Sequence, residues 1–166
     1  MIAGAAAIAT PTLAQPDERT WTFRLDDDLV QLSWAIPDSD DAGPAFTCSP
    51  GEGTVRVSMV VTRRVAMEAP TADGVWVDAA GRPAPWKGEL ELRSGRTTDR
   101  YPALVHPDEM NGGSMVEAEI APETPALEAF GRTGVVVLSS FGETEAPPPA
   151  PSAQVRVLLN ACLPGS

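Results

Sequence analysis

The sequence predicts a mainly β fold, an antiparallel sandwich or a strongly bent sheet, with two short helices. Three observations carry this expectation. Apolar and polar residues alternate with period two in several short stretches. Seventeen prolines and 14 glycines cut the 166-residue chain into short pieces, which favours strands over long helices. No strand–helix–strand alternation is present that would signal a parallel sheet.

Taken in order, Thr20–Leu25 places Trp21, Phe23 and Leu25 on one side and Thr22 and Arg24 on the other, the pattern of a half-buried strand. Asp26-Asp27-Asp28 ends it. Val30, Leu32, Trp34 and Ile36 alternate next, and a polar turn region follows from Pro37 to Pro44. Phe46 and Cys48 share the apolar face of a short third strand, so Cys48 is expected to point inward. A Pro- and Gly-rich turn at Ser49–Gly53 leads to a strand over Thr54–Thr62, with Val55, Val57, Met59 and Val61 on one face. Val75–Val77 is a short apolar piece. Trp86, Gly88, Leu90 and Leu92 then alternate with Lys87, Glu89, Glu91 and Arg93. A loop centred on Asn111-Gly112-Gly113 precedes a further alternation at Val116, Ala118 and Ile120.

Thr124-Pro125 reads as a helix start, with proline at the first helical position and Gly131 or Gly134 as the stop. Val135–Leu138 is a continuous apolar run, expected of a strand covered on both faces. The stretch Ala146–Pro151 is stiff and extended and leads to Ser152, an N-cap candidate. Val155, Leu158, Leu159 and Cys162 follow at i, i+3, i+4 and i+7, one face of a closing helix.

Residues 1–14, MIAGAAAIATPTLA, are uncharged, small and apolar. They are expected to be a signal peptide cleaved before Gln15, leaving residues 15–166 as a single β-rich domain. The run is too short to span a bilayer, which takes about 20 apolar residues. It lacks a basic n-region, which an upstream start site would supply; a flexible alanine-rich N-terminus is the alternative. The two cysteines, Cys48 and Cys162, form no C-x-x-C. A disulfide in an oxidising compartment accounts for them, tying the last helix to the strand of Cys48. The expected location is periplasmic or secreted. Two buried free thiols are the alternative.

Hydrophobic residues make up 43% of the chain and charged residues 21%, proportions of a globular protein. The net charge is −11, with one lysine, Lys87. Phosphate binding needs clusters of Lys and Arg, so nucleic acid is rejected as a partner, and an anionic membrane surface with it. A basic partner fits the charge.

A Ser-His-Asp set could draw only on His106, with Asp108 or Glu109 to orient it and Ser114 or Ser139 as nucleophile; a surface loop histidine is the plainer reading. Glu89 with Glu91, and Glu117 with Glu119, are explained by alternation as solvent-facing pairs. Asp38–Gly43 starts like a calcium loop and then fails, because Ala42 stands where an acidic or amide residue is required and Ser49 where a glutamate is. No catalytic set, cofactor site or metal site is therefore assigned. The candidate binding surface is Trp76, Trp86, Tyr101 and His106, whose aromatic rings can meet a sugar or a peptide; core packing is the competing role for the two tryptophans.

The stretch F-T-C-S-P-G-E-G-T-V-R-V (Phe46–Val57), the proline-rich lead-in and the closing V-R-V-L-L-N-A-C (Val155–Cys162) resemble small uncharacterised exported proteins of alphaproteobacteria. The resemblance implies export and a structural disulfide, and supplies no site residues. The expected function is an exported, non-enzymatic protein that binds a protein or envelope component. Its alternatives are an acidic inhibitor of a basic envelope enzyme such as a lysozyme, and a hydrolase using His106.

Overall fold

A computed structural model describes residues 18–37, 39 and 43–165. The expected signal segment and most of the Asp38–Gly43 loop lie outside the described residues. The described strands are β1 (Thr20–Leu25), β2 (Val30–Ala35), β3 (Ala45–Cys48), β4 (Val55–Val61), β5 (Ala69–Pro70), β6 (Trp76–Val77), β7 (Trp86–Ser94), β8 (Thr97–Asp108), β9 (Gly113–Ile120), β10 (Val137–Ser140) and β11 (Glu143–Glu145). The helices are α1 (Pro125–Thr133) and α2 (Ser152–Ala161).

Nine strands form one antiparallel sheet in the order β1-β2-β3-β4-β9-β8-β7-β10-β11, and β5 pairs with β6 in a separate ribbon. The large sheet curls until its two edges come together through side chains. Arg19 reaches Glu145 at 3.8 Å, and the Trp21 indole donates to the Pro148 carbonyl at 2.7 Å. Of the two architectures the sequence allows, the bent sheet is therefore the one observed.

The concave face is apolar because the period-two residues point there. Val55, Val57, Met59 and Val61 of β4 pair with Ile120, Ala118, Val116 and Ser114 of β9, and all eight are buried. Helix α1 covers β7 and β8, and α2 covers β2 and β3. Phe130 of α1 stacks 4.9 Å from Phe46 of β3, and Trp21 packs against both rings. Fully burying a side chain such as Phe130 contributes roughly 1.5–3 kcal/mol.

The start of α1 depends on β8. Thr124 makes no side-chain cap, and Asp99 supplies the missing acceptor, taking the Ala126 N–H at 3.0 Å. Gly134 ends the helix in the left-handed region at φ 70°, as the sequence allowed. Helix α2 starts one residue earlier than expected: Pro151, and not Ser152, is its N-cap.

Cys48 and Cys162 form the expected disulfide, with Cα atoms 5.8 Å apart. Backbone bonds reinforce it. Gly51 and Gly53 donate to the carbonyls of Ala161 and Cys162 at 2.8 and 2.9 Å, so the β3–β4 turn satisfies carbonyls that the end of α2 leaves open. Both glycines have positive φ, 77° and 83°, the conformation that aims these N–H groups at little steric cost.

Three sequence expectations change. Thr97–Asp108 shows no alternation and His106 is expected in a loop; the stretch is β8, the longest of the described strands. The Val135–Leu138 run shifts to Val137–Ser140, and Val135 is exposed, so this strand is covered on one face only. Val75 is exposed beside β6 and is not part of it.

Candidate functional site

The four residues of the candidate surface do not form one surface. Trp86 is 7% exposed and belongs to the core; its indole donates to the Arg82 carbonyl at 3.1 Å. Trp76 is half-buried, with the Arg64 guanidinium 4.9 Å over its ring and its indole donating to Glu109 at 2.8 Å. Tyr101 lies far from these contacts, on the concave side beside the start of α1. Its hydroxyl meets Asp99 at 3.3 Å. Burial raises the Tyr101 pKa above its ordinary value; the Thr124 hydroxyl opposes the shift, and the Asp99 charge adds to it.

His106 projects from the face of β8 opposite Val105, and its Nε2 is buried without a hydrogen-bond partner. The groups that a catalytic triad would draw on are engaged elsewhere. Ser114 accepts the Val65 N–H and contacts the Met67 sulfur, Ser139 pairs with Thr144, Asp108 binds Asn111 and Glu109 binds Trp76. None of these four groups is hydrogen-bonded to His106 Nε2. Among the described residues, no group of three His, Cys, Asp or Glu side chains is placed to hold a metal ion.

The convex face of β7, β8 and β9 carries a feature that sequence reasoning missed. The β7–β8 hairpin closes on the pair Ser94–Thr97 across a two-residue turn, with Gly95 at φ 60°. Such a closing pair is hydrogen-bonded. Alternation from it turns the backbone groups of Asp99, Tyr101, Ala103 and Val105 toward β7, and those of Thr98, Arg100, Pro102 and Leu104 toward β9. The β8–β9 ladder runs from Asp108–Gly113 to Leu104–Glu117 and stops. The next hydrogen-bonding position would set Pro102 opposite Glu119, and proline has no N–H to give.

The two strands part there, and a cleft of about 450 Å³ opens between Lys87, Pro102, Leu104, Glu117 and Glu119. Its floor is apolar, and Leu104 is 45% exposed. A second cleft of about 470 Å³ adjoins it at Lys87, lined further by Asp78, Arg82, Pro83, Pro85 and Trp86. Pockets of a few hundred cubic ångströms with few polar groups are what ligands and partner side chains fill.

Along this face each of two arginines bridges two carboxylates. Arg56 bridges Glu117 and Glu119 at 3.3 and 3.7 Å, and Arg100 bridges Glu91 and Glu89 at 2.9 and 3.8 Å. Both carboxylate pairs face solvent, as alternation indicated. In the second cleft Arg82 binds Asp78 at 2.7 Å. The Arg82 backbone N–H, opposed by burial and assisted by the Arg82 side chain and the Ala80 N–H, holds the Asp78 carboxyl below its ordinary value. Lys87 makes no ion pair with any described residue. The signal in the sequence was Pro102 inside an otherwise extended stretch, since proline in a strand marks an unpaired edge.

Comparison with protein-family models, with curated proteins and with solved structures finds no match to this chain.

Proposed function

We propose that the protein is an exported, non-enzymatic binding protein, and that it holds a protein or envelope component on the convex face of β7, β8 and β9. The two adjoining clefts at Lys87 carry this reading. They form an apolar-floored recess on a face whose lining carboxylates each already reach an arginine, so an incoming apolar group displaces water without breaking an ion pair. The buried disulfide and the apolar N-terminal segment support export, because structural disulfides persist in oxidising compartments.

The face is tested by affinity capture from an envelope extract with the protein and its Leu104→Glu variant. One retained component, lost with Leu104→Glu, is the expected result. Equal retention by both proteins would remove the convex face from the reading. Export is tested by N-terminal sequencing of the mature chain, which is expected to begin at Gln15; a chain beginning at Met1 would overturn it.

A second reading has its own support. The net charge of −11 and the exposed Asp26-Asp27-Asp28 turn between β1 and β2 suit an inhibitor of a basic envelope enzyme, because an acidic surface steers a cationic partner. Inhibition of a lysozyme at low salt is the test, and unimpaired lysozyme activity at excess protein rules the reading out.

A further inference from the structure

We infer that Asn111, at the tip of the β8–β9 hairpin, is a site of spontaneous modification: its side-chain amide closes on the Gly112 nitrogen and reopens as isoaspartate, and the conversion loosens the end of the hairpin. The inference is independent of the binding reading above.

Three observations carry it. First, Asn111 and Gly112 are exposed, in the connection 109–112 that follows the last pair of the β8–β9 ladder, Asp108–Gly113. Second, the Gly112 N–H, the attacking group, donates to no described residue, and Gly112 has no Cβ to obstruct the approach. Third, the comparable positions lack this freedom. Asp73-Gly74 offers the same kind of sequence, but the Gly74 N–H is held by the Thr71 carbonyl at 3.0 Å. Asn160, the only other asparagine, precedes Ala161 at the end of α2, where the following N–H is spent within the helix.

The chemistry balances with water alone. The Gly112 nitrogen gives its proton to solvent and attacks Cγ of Asn111; the Cγ–Nδ2 bond breaks, and Nδ2 takes a proton back and leaves as ammonia. Water then opens the cyclic imide. Addition at Cγ gives aspartate; addition at the main-chain carbonyl gives isoaspartate, whose backbone runs through the side chain. Asp108 holds the Asn111 N–H and Nδ2 at 3.1 and 2.9 Å. Both products replace that neutral amide with a negative charge beside Asp108, and like charges so close repel. Isoaspartate also lengthens the backbone of the turn. Gly113 is packed so closely on β4 that a Cβ there would sit 2.2 Å from the Val61 carbonyl oxygen, so the turn takes up the change.

The test holds the folded full chain, the same chain in urea and the folded Asn111→Gln variant in mildly alkaline buffer, with peptide mapping by mass spectrometry over time. In the folded chain the Asn111 peptide is expected to gain the mass of amide-to-acid conversion, more as isoaspartate than as aspartate, while the Asn160 peptide does not. The rate should rise about tenfold per pH unit, because the deprotonated nitrogen is the nucleophile. Asn111→Gln is expected to stay unconverted, since its longer side chain closes the ring poorly. Converted protein, separated by anion exchange, is expected to show faster amide exchange at Asp108 and Gly113 than unconverted protein.

No conversion at Asn111 in the folded chain once the unfolded chain has converted overturns the inference, because the fold would then be protecting the amide. Isoaspartate at Asp73 before Asn111, or an equal mass gain in Asn111→Gln, overturns it as well. Equal amide exchange in converted and unconverted protein overturns the loosening of the hairpin.

Discussion

Breaking the Cys48–Cys162 bond tests how the fold is held. The bond closes a loop with a sequence separation of 114. In the chain-entropy treatment, a loop of that length removes about 16 cal/mol/K from the unfolded chain, or about 5 kcal/mol at 25 °C. That is a large share of the roughly 5–15 kcal/mol that holds a typical domain together. At this chain length it corresponds to a melting point lower by roughly 10–20 °C. Reduced wild-type protein is the cleanest perturbation, because both sulfurs stay and no cavity opens. The assay is urea unfolding of oxidised and reduced protein in the same buffer. Cys48→Ala/Cys162→Ala, run beside them, adds only the packing of two buried sulfurs. The bonds from Gly51 and Gly53 to the end of α2 do not involve sulfur, so their amides are expected to remain the slow-exchanging ones of the turn after reduction. A loss on reduction of less than about 1 kcal/mol would refute the reasoning, since it would mean that the unfolded chain gains no freedom when the loop opens.

Three further outcomes are expected. Glu143 accepts the Thr62 N–H and hydroxyl at 2.8 and 2.9 Å and the Arg63 N–H at 3.0 Å. The Thr62 N–H, opposed by desolvation, holds its pKa below the usual 4.5. Because the folded value is the lower one, this stabilisation is present above about pH 4.5 and is lost as pH falls through the folded value; in urea melts, the gap between wild type and Glu143→Gln should close on acidification, and a gap that is constant with pH would contradict it. Tyr101 is the only tyrosine, so phenolate absorbance at 295 nm reports it alone: it should titrate above pH 10 in the folded protein and return to about 10 in urea, and an unchanged midpoint would remove burial as the cause. Pro102→Val restores a donor opposite Glu119 and should extend the β8–β9 ladder by one pair, worth about 0.5–1.5 kcal/mol; an unprotected amide at position 102 in hydrogen exchange would show that something other than proline parts the strands.

Much of the sheet could be read from the sequence because burial on one face imprints period two. At Thr20–Leu25 the expected and observed strands coincide, β2, β3, β4 and β7 differ by a residue or two at their ends, and β9 starts three residues before the alternation at Val116. Strand β8 could not be read, because its pattern is inverted by its partners. Asp99 points inward, since the start of α1 needs an acceptor there. Pro102 and Leu104 point outward at the opening. A polar residue inside and apolar ones outside leave no alternation to see. Pro107 adds a second interruption; its nitrogen faces the β7 side beyond Trp86, where no strand needs a donor. The clefts were hidden for a related reason. That Glu117 and Glu119 share an arginine while Lys87 has none is a fact of three-dimensional pairing. Of the two tryptophans for which core packing competed with binding, the structure buries Trp86 and leaves Trp76 half-buried.

The contacts that close the curled sheet also set when folding can finish. Arg19 with Glu145, Trp21 with Pro148, and Cys48 with Cys162 each join the first third of the chain to its last quarter. During synthesis, β1 to β3 emerge before the helix that covers β2 and β3. Their partners arrive only with the final residues, so the core cannot close until nearly the whole chain is free. Such long-range closure is slow and leaves apolar strands open to other chains. A protein built this way depends on its last helix to complete the fold.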